Sequence, residues 1–355
     1  MSTEPKAAPE SLVDLDRLNA WPGLADLPGT GPVESLTKLT GGAQNLLFAI
    51  RRADGTELVL RRPGRYAGGP DAAKPFLRES RVLGALAGTD VPHPRLYASC
   101  PDDTVIGAPF SVLEKIDGFS PQGQLTGTYA DDPEWRRQLA FELVGGAAKL
   151  GVVDPQAIGL GDLSRRTDGW AGHQVERYWK MLRGYRDNDE YRAGESPLVD
   201  VIGEWLDKNR PVDVRIGIVH GDLQFANVMY RHDAPRLTAI VDWEMASLGD
   251  PLVDLGWILT AWPDDDGIAD AEPYLKPWDV MPTRAELIAH YAALTGRDVS
   301  GFRWFQVLAC FRLAALLEGS YFRALNGKMD RAMGEGLHTY AASLWPKAER
   351  EINRA

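Results

Sequence analysis

The feature that most constrains the fold is an acid followed by an amide five positions later, with a second acid after the next apolar run. "VHGDLQFANVMY", residues 219–230, contains Asp222 and Asn227, and "AIVDWE" places Asp242 at the end of an apolar segment. Alone, Asp222 could be a turn former, Asn227 a cap, and "AIVDW" a core strand that simply ends in Asp. Together they are typical of a site in which an acid orients a hydroxyl and two oxygen ligands hold a divalent cation. This combination favours phosphoryl transfer, which depends on positioning and on charge neutralisation.

Composition narrows the class of protein. The 355 residues suffice for two domains, and 44% hydrophobic with 25% charged residues is a globular balance. A net charge of −11 and a pI of about 5.1 argue against a nucleic-acid partner. Cys100 and Cys310 are too few for a disulfide framework. The start of the chain lacks the apolar core of a signal peptide, and Arg312 and Glu318 interrupt the longest apolar run, so we expect a cytoplasmic protein without a membrane span.

The first third of the chain has mainly strand signals. Residues 1–30 are predicted to form a disordered tail and one short helix. Two apolar runs then flank the hairpin signal Asp54-Gly55. A helix is predicted at 71–88, with Glu79 on the stripe that faces inward. "VPHPRLYASC" is predicted to be a connector, and "APFSVLEKIDG" a strand that ends at Gly118.

The rest of the chain has mainly helix signals, such as the capping box formed by Thr283 and Glu286. One predicted helix starts at Pro133, and others lie at about 170–186, 197–209, 284–295, 301–325 and 331–353. Only "VRIGIVHGDL", "ANVMYRH" and "RLTAIVDWE" have strand character there. The sequence therefore predicts an α+β fold in which a small β-rich lobe precedes a larger helical lobe, with a division near Ile116–Gly118.

These motifs resemble those of the aminoglycoside phosphotransferase and choline-kinase-like family of small-molecule kinases. His220-Gly221-Asp222 with Asn227, followed by Asp242-Trp243-Glu244, is similar to the kinase signature H-R-D-x-x-x-x-N and D-F-G. By overall pattern the chain is most similar to the branch of kinase domains fused ahead of acyl-CoA dehydrogenases. The resemblance implies a bilobal protein-kinase-like fold, with a nucleotide-binding N-lobe at 31–117 and a catalytic, substrate-binding C-lobe at 118–355.

The resemblance also implies roles for single residues of the C-lobe motif. Asp222 corresponds to the catalytic base, and Asn227 and Asp242 correspond to the metal ligands. His220 could act in acid–base chemistry, but we interpret it as structural, bonding the loop backbone. Asp254 is interpreted as a scaffold acid that bonds backbone near the catalytic loop. For Asp250, a plain helix cap is an equally good interpretation.

A second set of positions is implied in nucleotide binding: Gly41, Gly42, Asn45, Arg61, Glu79, Glu114 and Ile116. The glycine pair would cover phosphates, although a plain hairpin tip also explains it. Arg61 stands where the family commonly has Lys, and a guanidinium can grip phosphate bidentately. Glu79 would be its ion-pair partner, although each alone could be a surface charge. Backbone groups of Glu114–Ile116 would bond the adenine edge.

The resemblance implies an ATP-dependent (GTP is not excluded), Mg²⁺-requiring O-phosphotransferase. Its partner would be a small-molecule hydroxyl acceptor, either a metabolite such as a hydroxylated acyl thioester or an aminoglycoside-like compound. The alternative is a pseudokinase-like protein that binds a nucleotide or metabolite without chemistry. The acidic stretch 263–266 could steer a cationic acceptor or be a solvated loop. Trp262, Tyr274 and Trp278 could line a pocket or pack the lobe. Oligomeric state cannot be predicted.

Overall fold

The structure, a computed structural model, describes residues 12–39, 45–64, 70–264 and 275–354. The tail predicted at 1–10 lies outside these residues. The chain forms two compact units, Met1–Gly118 with Thr238–Ala246, and Phe119–Leu237 with Ser247–Ala355. The segment that carries Asp242 therefore belongs to the first unit, although the sequence division placed it with the second. Hydrogen bonds explain this: Ile240 N donates to Pro92 O (2.8 Å), and Arg78 donates to Ala246 O (2.8 Å).

The first unit is built on an antiparallel sheet in the order β1-β2-β3-β5-β4. The strands are β1 (Val33–Lys38), β2 (Asn45–Arg52), β3 (Glu57–Pro63), β4 (Leu96–Cys100) and β5 (Phe110–Glu114). Gly55, at φ +88°, makes the predicted turn between β2 and β3. Helix α2 (Pro70–Leu86) agrees with the prediction. The interpretation of "VPHPRLYASC" as a connector was wrong, because its last five residues pair with β5 as β4.

The residues before β1 belong to the core of the first unit. Helix α1 (Leu15–Ala20) and a 3₁₀ turn (Pro22–Asp26) bury Leu18 and Leu24 in the same cluster as the sheet residues. The buried Arg52 guanidinium donates to the carbonyl oxygens of this segment. Its acceptors are Leu24 O (3.1 Å), Leu27 O (3.0 Å), Pro28 O (3.1 Å) and Gly31 O (2.8 Å from Nη2). The described part of the predicted tail-and-helix region 1–30 is thus structurally part of this unit, because apolar burial and Arg52 fix it there.

The second unit is mainly helical. Its helices are α3 (Thr128–Asp131), α4 (Pro133–Gly151), α5 (Trp170–Tyr185), α6 (Asp189–Gly194), α7 (Leu198–Lys208), α8 (Leu252–Leu259), α9 (Arg284–Thr295), α10 (Phe302–Leu325) and α11 (Arg331–Asn353). The predicted helices agree within a few residues, and the predicted capping box at Thr283 and Glu286 is present. The sequence did not predict α8. Since all eight of its residues are buried, it has no polar face to give a helical stripe.

The other short strands of the second unit are β6 (Gly123–Gln124), β7 (Gly217–Val219), β8 (Val228–Tyr230), β10 (Ser247–Gly249) and β11 (Leu275–Lys276), whereas β9 (Leu237–Ile240) begins the segment that belongs to the first unit. Antiparallel pairing joins β7 to β10, and parallel pairing joins β6 to β11. Of these, β6, β10 and β11 were not predicted, because none of them lies within an apolar run of the kind that marks β7, β8 and β9. The β7–β10 pair fixes the start of the loop that carries Asp222.

Helix α10 is long and apolar enough to cross a membrane by length and composition alone. In this protein 67% of the most apolar 18-residue stretch of α10 is buried, and the helix packs against α5, α8 and α11. Its hydrophobicity is therefore accounted for by internal packing.

A buried ion pair between α10 and α11 gives the second unit a pH-dependent stability. His338 Nδ1 lies 2.9 Å from the carboxylate of the buried Glu318, and this hydrogen bond raises the pKa of His338 above its usual 6.5. The stabilisation is complete below about pH 6.5 and is lost as the pH rises through the raised pKa. We expect His338→Gln to lower the free energy of unfolding by about 1–3 kcal/mol in mild acid and by less in mild alkali.

Urea denaturation of both proteins across this pH range measures the effect. His290→Gln is the control, because the His290 ring packs edge-on against Phe141. Equal losses for His338→Gln at both ends of the range would contradict the prediction.

Candidate active site

The loop after β7 is held by two buried side chains on opposite sides of its backbone. Asp254, in the first turn of α8, accepts the backbone N–H groups of His220 (2.7 Å) and Gly221 (2.9 Å). Arg312, on α10, donates to Gly221 O (2.8 Å). Gly221 has φ +90°, a conformation that favours glycine. The interpretation of Asp254 as a scaffold acid is confirmed. Burial raises the pKa of Asp254 to about 6, although the two N–H donors and Arg312 act against the rise.

Two side chains of the loop and one of helix α8 donate N–H groups to the carboxylate of Asp222. Trp257 Nε1 (3.1 Å) and Gln224 Nε2 (2.8 Å) donate to Oδ1, and Asn227 Nδ2 donates to Oδ2 (2.8 Å). The fully buried His220 accepts the backbone N–H of Asp222 at its Nδ1 (3.2 Å), which agrees with its interpretation as a structural residue. Donors of this kind stabilise an ionised carboxylate and fix its orientation.

Asn227 is oriented so that its amide oxygen can serve as a ligand. Its Nδ2 donates both to the side chain and to the backbone oxygen of Asp222, at 2.8 Å each. The Oδ1 atom is on the other side of the amide group and is the atom through which Asn227 could ligate a cation. An amide oxygen is among the hard oxygen ligands that Mg²⁺ and Ca²⁺ accept, so this residue fits the predicted role.

In the first unit, three predicted residues form one charge cluster. Nη2 of the buried Arg61, on β3, lies 2.8 Å from Glu79 Oε2 on α2 and 2.9 Å from Asp242 Oδ1. Its Nε atom is buried without a hydrogen-bond partner among the described residues. Burial raises the pKa of Glu79 to about 7, with Arg61 opposing the rise and Asp242 and Glu244 adding to it. One cation is thus shared by a buried acid and a more exposed one.

Asp242 has an unusual backbone conformation. Its φ of +66° and ψ of +59° lie in the left-handed region, the only such case among the non-glycine residues that the structure describes. Asp tolerates this region better than most residues, and strain of this kind is concentrated at functional sites. A 3₁₀ turn at Trp243–Met245 follows, and the Trp243 backbone N–H bonds Glu79. The carboxylate of Asp242 is a hard oxygen donor that fits a Mg²⁺ ligand, with Arg61 as its present partner.

The other predicted nucleotide positions have weaker structural support. Asn45 Nδ2 donates to Glu244 Oε2 (3.1 Å). Glu114 ends β5, where its backbone N–H and its side chain both bond the backbone of Arg95. Ile116 follows the strand and is partly buried. Gly41 and Gly42 lie outside the described residues, so their predicted role stays a prediction.

The structure bears on the aromatic residues and the acidic stretch that could have contacted an acceptor. Trp262 is buried, donates to Pro282 O (2.9 Å) and packs edge-on against Trp278, which favours packing over a pocket. Asp264 is also buried and forms ion pairs with Arg284 and Arg350, so it is neither solvated nor exposed to steer a ligand. Tyr274 and residues 265–266 lie outside the described residues.

Sequence reasoning missed three residues that contact the Asp222 loop. Gln224 lies inside the motif itself, and Trp257 follows Asp254 by three positions, the spacing that places two side chains on one helix face. Arg312 interrupts the apolar run "VLACFRLAALL", and a charged residue in such a run is a signal for a specific buried partner. Each could have been suspected, but none could have been paired with its partner without the fold.

Comparison with known proteins identifies the family of this chain. Residues 35–290 match the family described as "Phosphotransferase enzyme family". Acyl-CoA dehydrogenase family member 10 of Mus musculus is 28% identical over 345 residues, 93% of this chain and 30% of that protein. Family member 11 of Rattus norvegicus is 29% identical over 337 residues, 90% of this chain and 41% of that protein. The chain thus spans less than half the length of these relatives.

Solved structures show the same fold. A candidate aminoglycoside phosphotransferase from Ralstonia eutropha JMP134 has a TM-score of 0.77 at 28% identity, covering 95% of this chain and 99% of that one. The GDP complex of an aminoglycoside 2'-phosphotransferase-IIIa mutant (TM-score 0.59, 15% identity, 92% and 95% covered) and ADP-bound APH(2'')-Ib (0.53, 14%, 88% and 95%) share the fold.

These matches confirm the predicted bilobal, kinase-like α+β class and the predicted branch. The family match covers well over half of the chain. The chain belongs to the phosphotransferase enzyme family.

Proposed function

We propose that the protein transfers the γ-phosphoryl group of ATP to a hydroxyl group of a small molecule. The observation that carries this proposal is the carboxylate of Asp222, which accepts three side-chain N–H groups. A carboxylate held in one orientation in this way can accept a hydrogen bond from an acceptor hydroxyl and take its proton during transfer. Positioning of this kind contributes about 7–11 kcal/mol to lowering a barrier.

The charge cluster of Arg61, Glu79 and Asp242 would bind the phosphates of the nucleotide. The Arg61 guanidinium is already positioned by two carboxylates, and its Nε, which has no hydrogen-bond partner among the described residues, would be a further donor for a phosphate oxygen. By the family resemblance, Asn227 and Asp242 would each offer an oxygen ligand to Mg²⁺, which when bound neutralises phosphate charge. Fold relatives are described with ADP and with GDP, so both ATP and GTP belong in the test.

The acceptor class is proposed from the relatives. Two of them are named as acyl-CoA dehydrogenase family members, which makes hydroxylated acyl thioesters the first class to examine. Aminoglycosides are the second class, since the most similar solved structure described above is a candidate aminoglycoside phosphotransferase.

The test is a coupled assay of nucleoside diphosphate release with Mg²⁺ and either ATP or GTP. Acceptors would include hydroxyacyl thioesters, aminoglycosides, amino alcohols and sugars. We expect one class to raise release well above the rate without acceptor, and Asp242→Asn to lose this response to Mg²⁺. Thermal stabilisation by MgATP with no acceptor-dependent release would instead support the pseudokinase-like alternative.

A further inference from the structure

We propose that Trp257 is a positioning residue for the proposed phosphoryl transfer, because its indole N–H fixes the reactive carboxylate of Asp222. The Nε1 atom lies 3.1 Å from Asp222 Oδ1, and the side chain is 5% exposed. An indole N–H can only donate, so the bond requires Asp222 to be the acceptor. This inference rests on the proposed function and adds to it a residue outside the D-x-x-x-x-N motif.

Helix α8 contacts the loop at two points on one face. Asp254 holds the backbone of His220 and Gly221, and Trp257, three residues later, holds the side chain of Asp222. Residues three apart on a helix are neighbours, so a single rigid element fixes both the loop backbone and its reactive group. The loop cannot shift against α8 without breaking all of these bonds.

The indole ring is itself held in place. The guanidinium of Arg312 lies 5.0 Å from the centre of the Trp257 ring and 5.9 Å from that of Tyr178, and its Nη2 donates to Gly221 O. Cation–π contacts of this kind, in a site shielded from water, restrict the ring. Arg312 therefore links the orientation of Trp257 to the backbone of the same loop.

The bond distinguishes the two oxygens of Asp222. Oδ1 accepts both Trp257 Nε1 and Gln224 Nε2, whereas Asn227 Nδ2 donates to Oδ2. A carboxylate oxygen accepts about two hydrogen bonds in its plane, so Oδ1 is fully engaged. The O–H bond of the acceptor would break as its proton passes to the Asp222 carboxylate, while the acceptor oxygen bonds to the γ-phosphorus and the nucleoside diphosphate leaves.

The first test is Trp257→Phe, which keeps an aromatic ring beside Arg312 and removes the N–H. We expect kcat to fall by about tenfold, the rate equivalent of one hydrogen bond to a charged group, with an unchanged KM for ATP. Trp179→Phe is the matched control, because Trp179 Nε1 donates to Asp200 Oδ1 (2.7 Å), the same chemistry on α5 and α7. A kcat for Trp257→Phe equal to that of Trp179→Phe would overturn the inference.

The second test detects the hydrogen bond by NMR of the Trp257 indole N–H and does not depend on turnover. In protein labelled with ¹⁵N-tryptophan, Trp257→Phe identifies one of the eleven indole signals. We expect Asp222→Asn to move that signal upfield, since the charged acceptor is lost, and to leave the Trp179 signal in place. An unresponsive Trp257 signal overturns the inference, and Trp257→Tyr supplies the same assignment if Trp257→Phe folds poorly. By contrast, the absence of acceptor-dependent nucleoside diphosphate release in the wild-type protein contradicts the proposed function itself, and the indole signal then decides whether the bond exists.

Discussion

Asp222→Asn lowers kcat by about 10²–10⁴-fold and leaves MgATP binding intact. The amide keeps the size of the side chain but cannot take a proton from an acceptor hydroxyl, and general-base catalysis is worth about this factor. The two donors to Oδ1 and the Asn227 donor to Oδ2 would also meet a group with a single acceptor oxygen. The measurements are steady-state kinetics on the acceptor found by the release assay and calorimetric titration with MgATP.

Asp200→Asn is the control for this prediction, since Asp200 is also a partly exposed acid that accepts an indole N–H, from Trp179. It should keep nearly full turnover. If Asp222→Asn turned over at the wild-type rate, Asp222 would not be the base, and another group would have to accept the proton.

Asp254→Ala lowers the free energy of unfolding by about 3 kcal/mol and also lowers kcat. Asp254 is 2% exposed, so its removal leaves the N–H groups of His220 and Gly221 buried without their acceptor, at about 1–3 kcal/mol each before relaxation. Because those residues directly precede Asp222, the orientation of its carboxylate should be lost as well. Urea denaturation and steady-state kinetics measure the two effects.

Asp250→Ala separates stability from catalysis. Asp250 is equally buried and accepts the backbone N–H groups of Arg215 (3.0 Å) and Leu252 (3.1 Å), with Arg297 as its ion-pair partner. We expect a comparable loss of stability with a much smaller loss of kcat. If the two variants lost kcat equally, the effect of Asp254 would be general destabilisation and not support of the loop.

The sequence predicted the parts of the site that are encoded locally. The D-x-x-x-x-N spacing placed Asp222 and Asn227 in one loop, where the structure joins them by a hydrogen bond. A strand-end cation and an acid on the inward stripe of a helix predicted that Arg61 and Glu79 would meet. In each case a regular period or a short spacing carried the information, and the resemblance to the family supplied the pairing.

What the sequence did not predict depends on contacts between distant residues. Helix α8 has no polar face, so its pattern did not distinguish it from a buried strand, and Trp257 could not be placed beside Asp222, 35 positions away. Thr238–Ala246 likewise belongs to the first unit because of hydrogen bonds to Pro92 and Arg78, which no local pattern encodes. The strained backbone of Asp242 has no sequence signal either, because Asp is common in ordinary turns.

Arg52 has a consequence for how this protein should be handled in the laboratory. Its hydrogen-bond acceptors in the segment before β1 are main-chain oxygens, which do not take up protons in mild acid. Protonation of acidic side chains therefore does not remove the acceptors that hold this segment. Trimming residues 12–31 to shorten the chain would instead leave Arg52 without these acceptors and expose the apolar sheet side chains that cluster with Leu18 and Leu24, so the trimmed protein should aggregate.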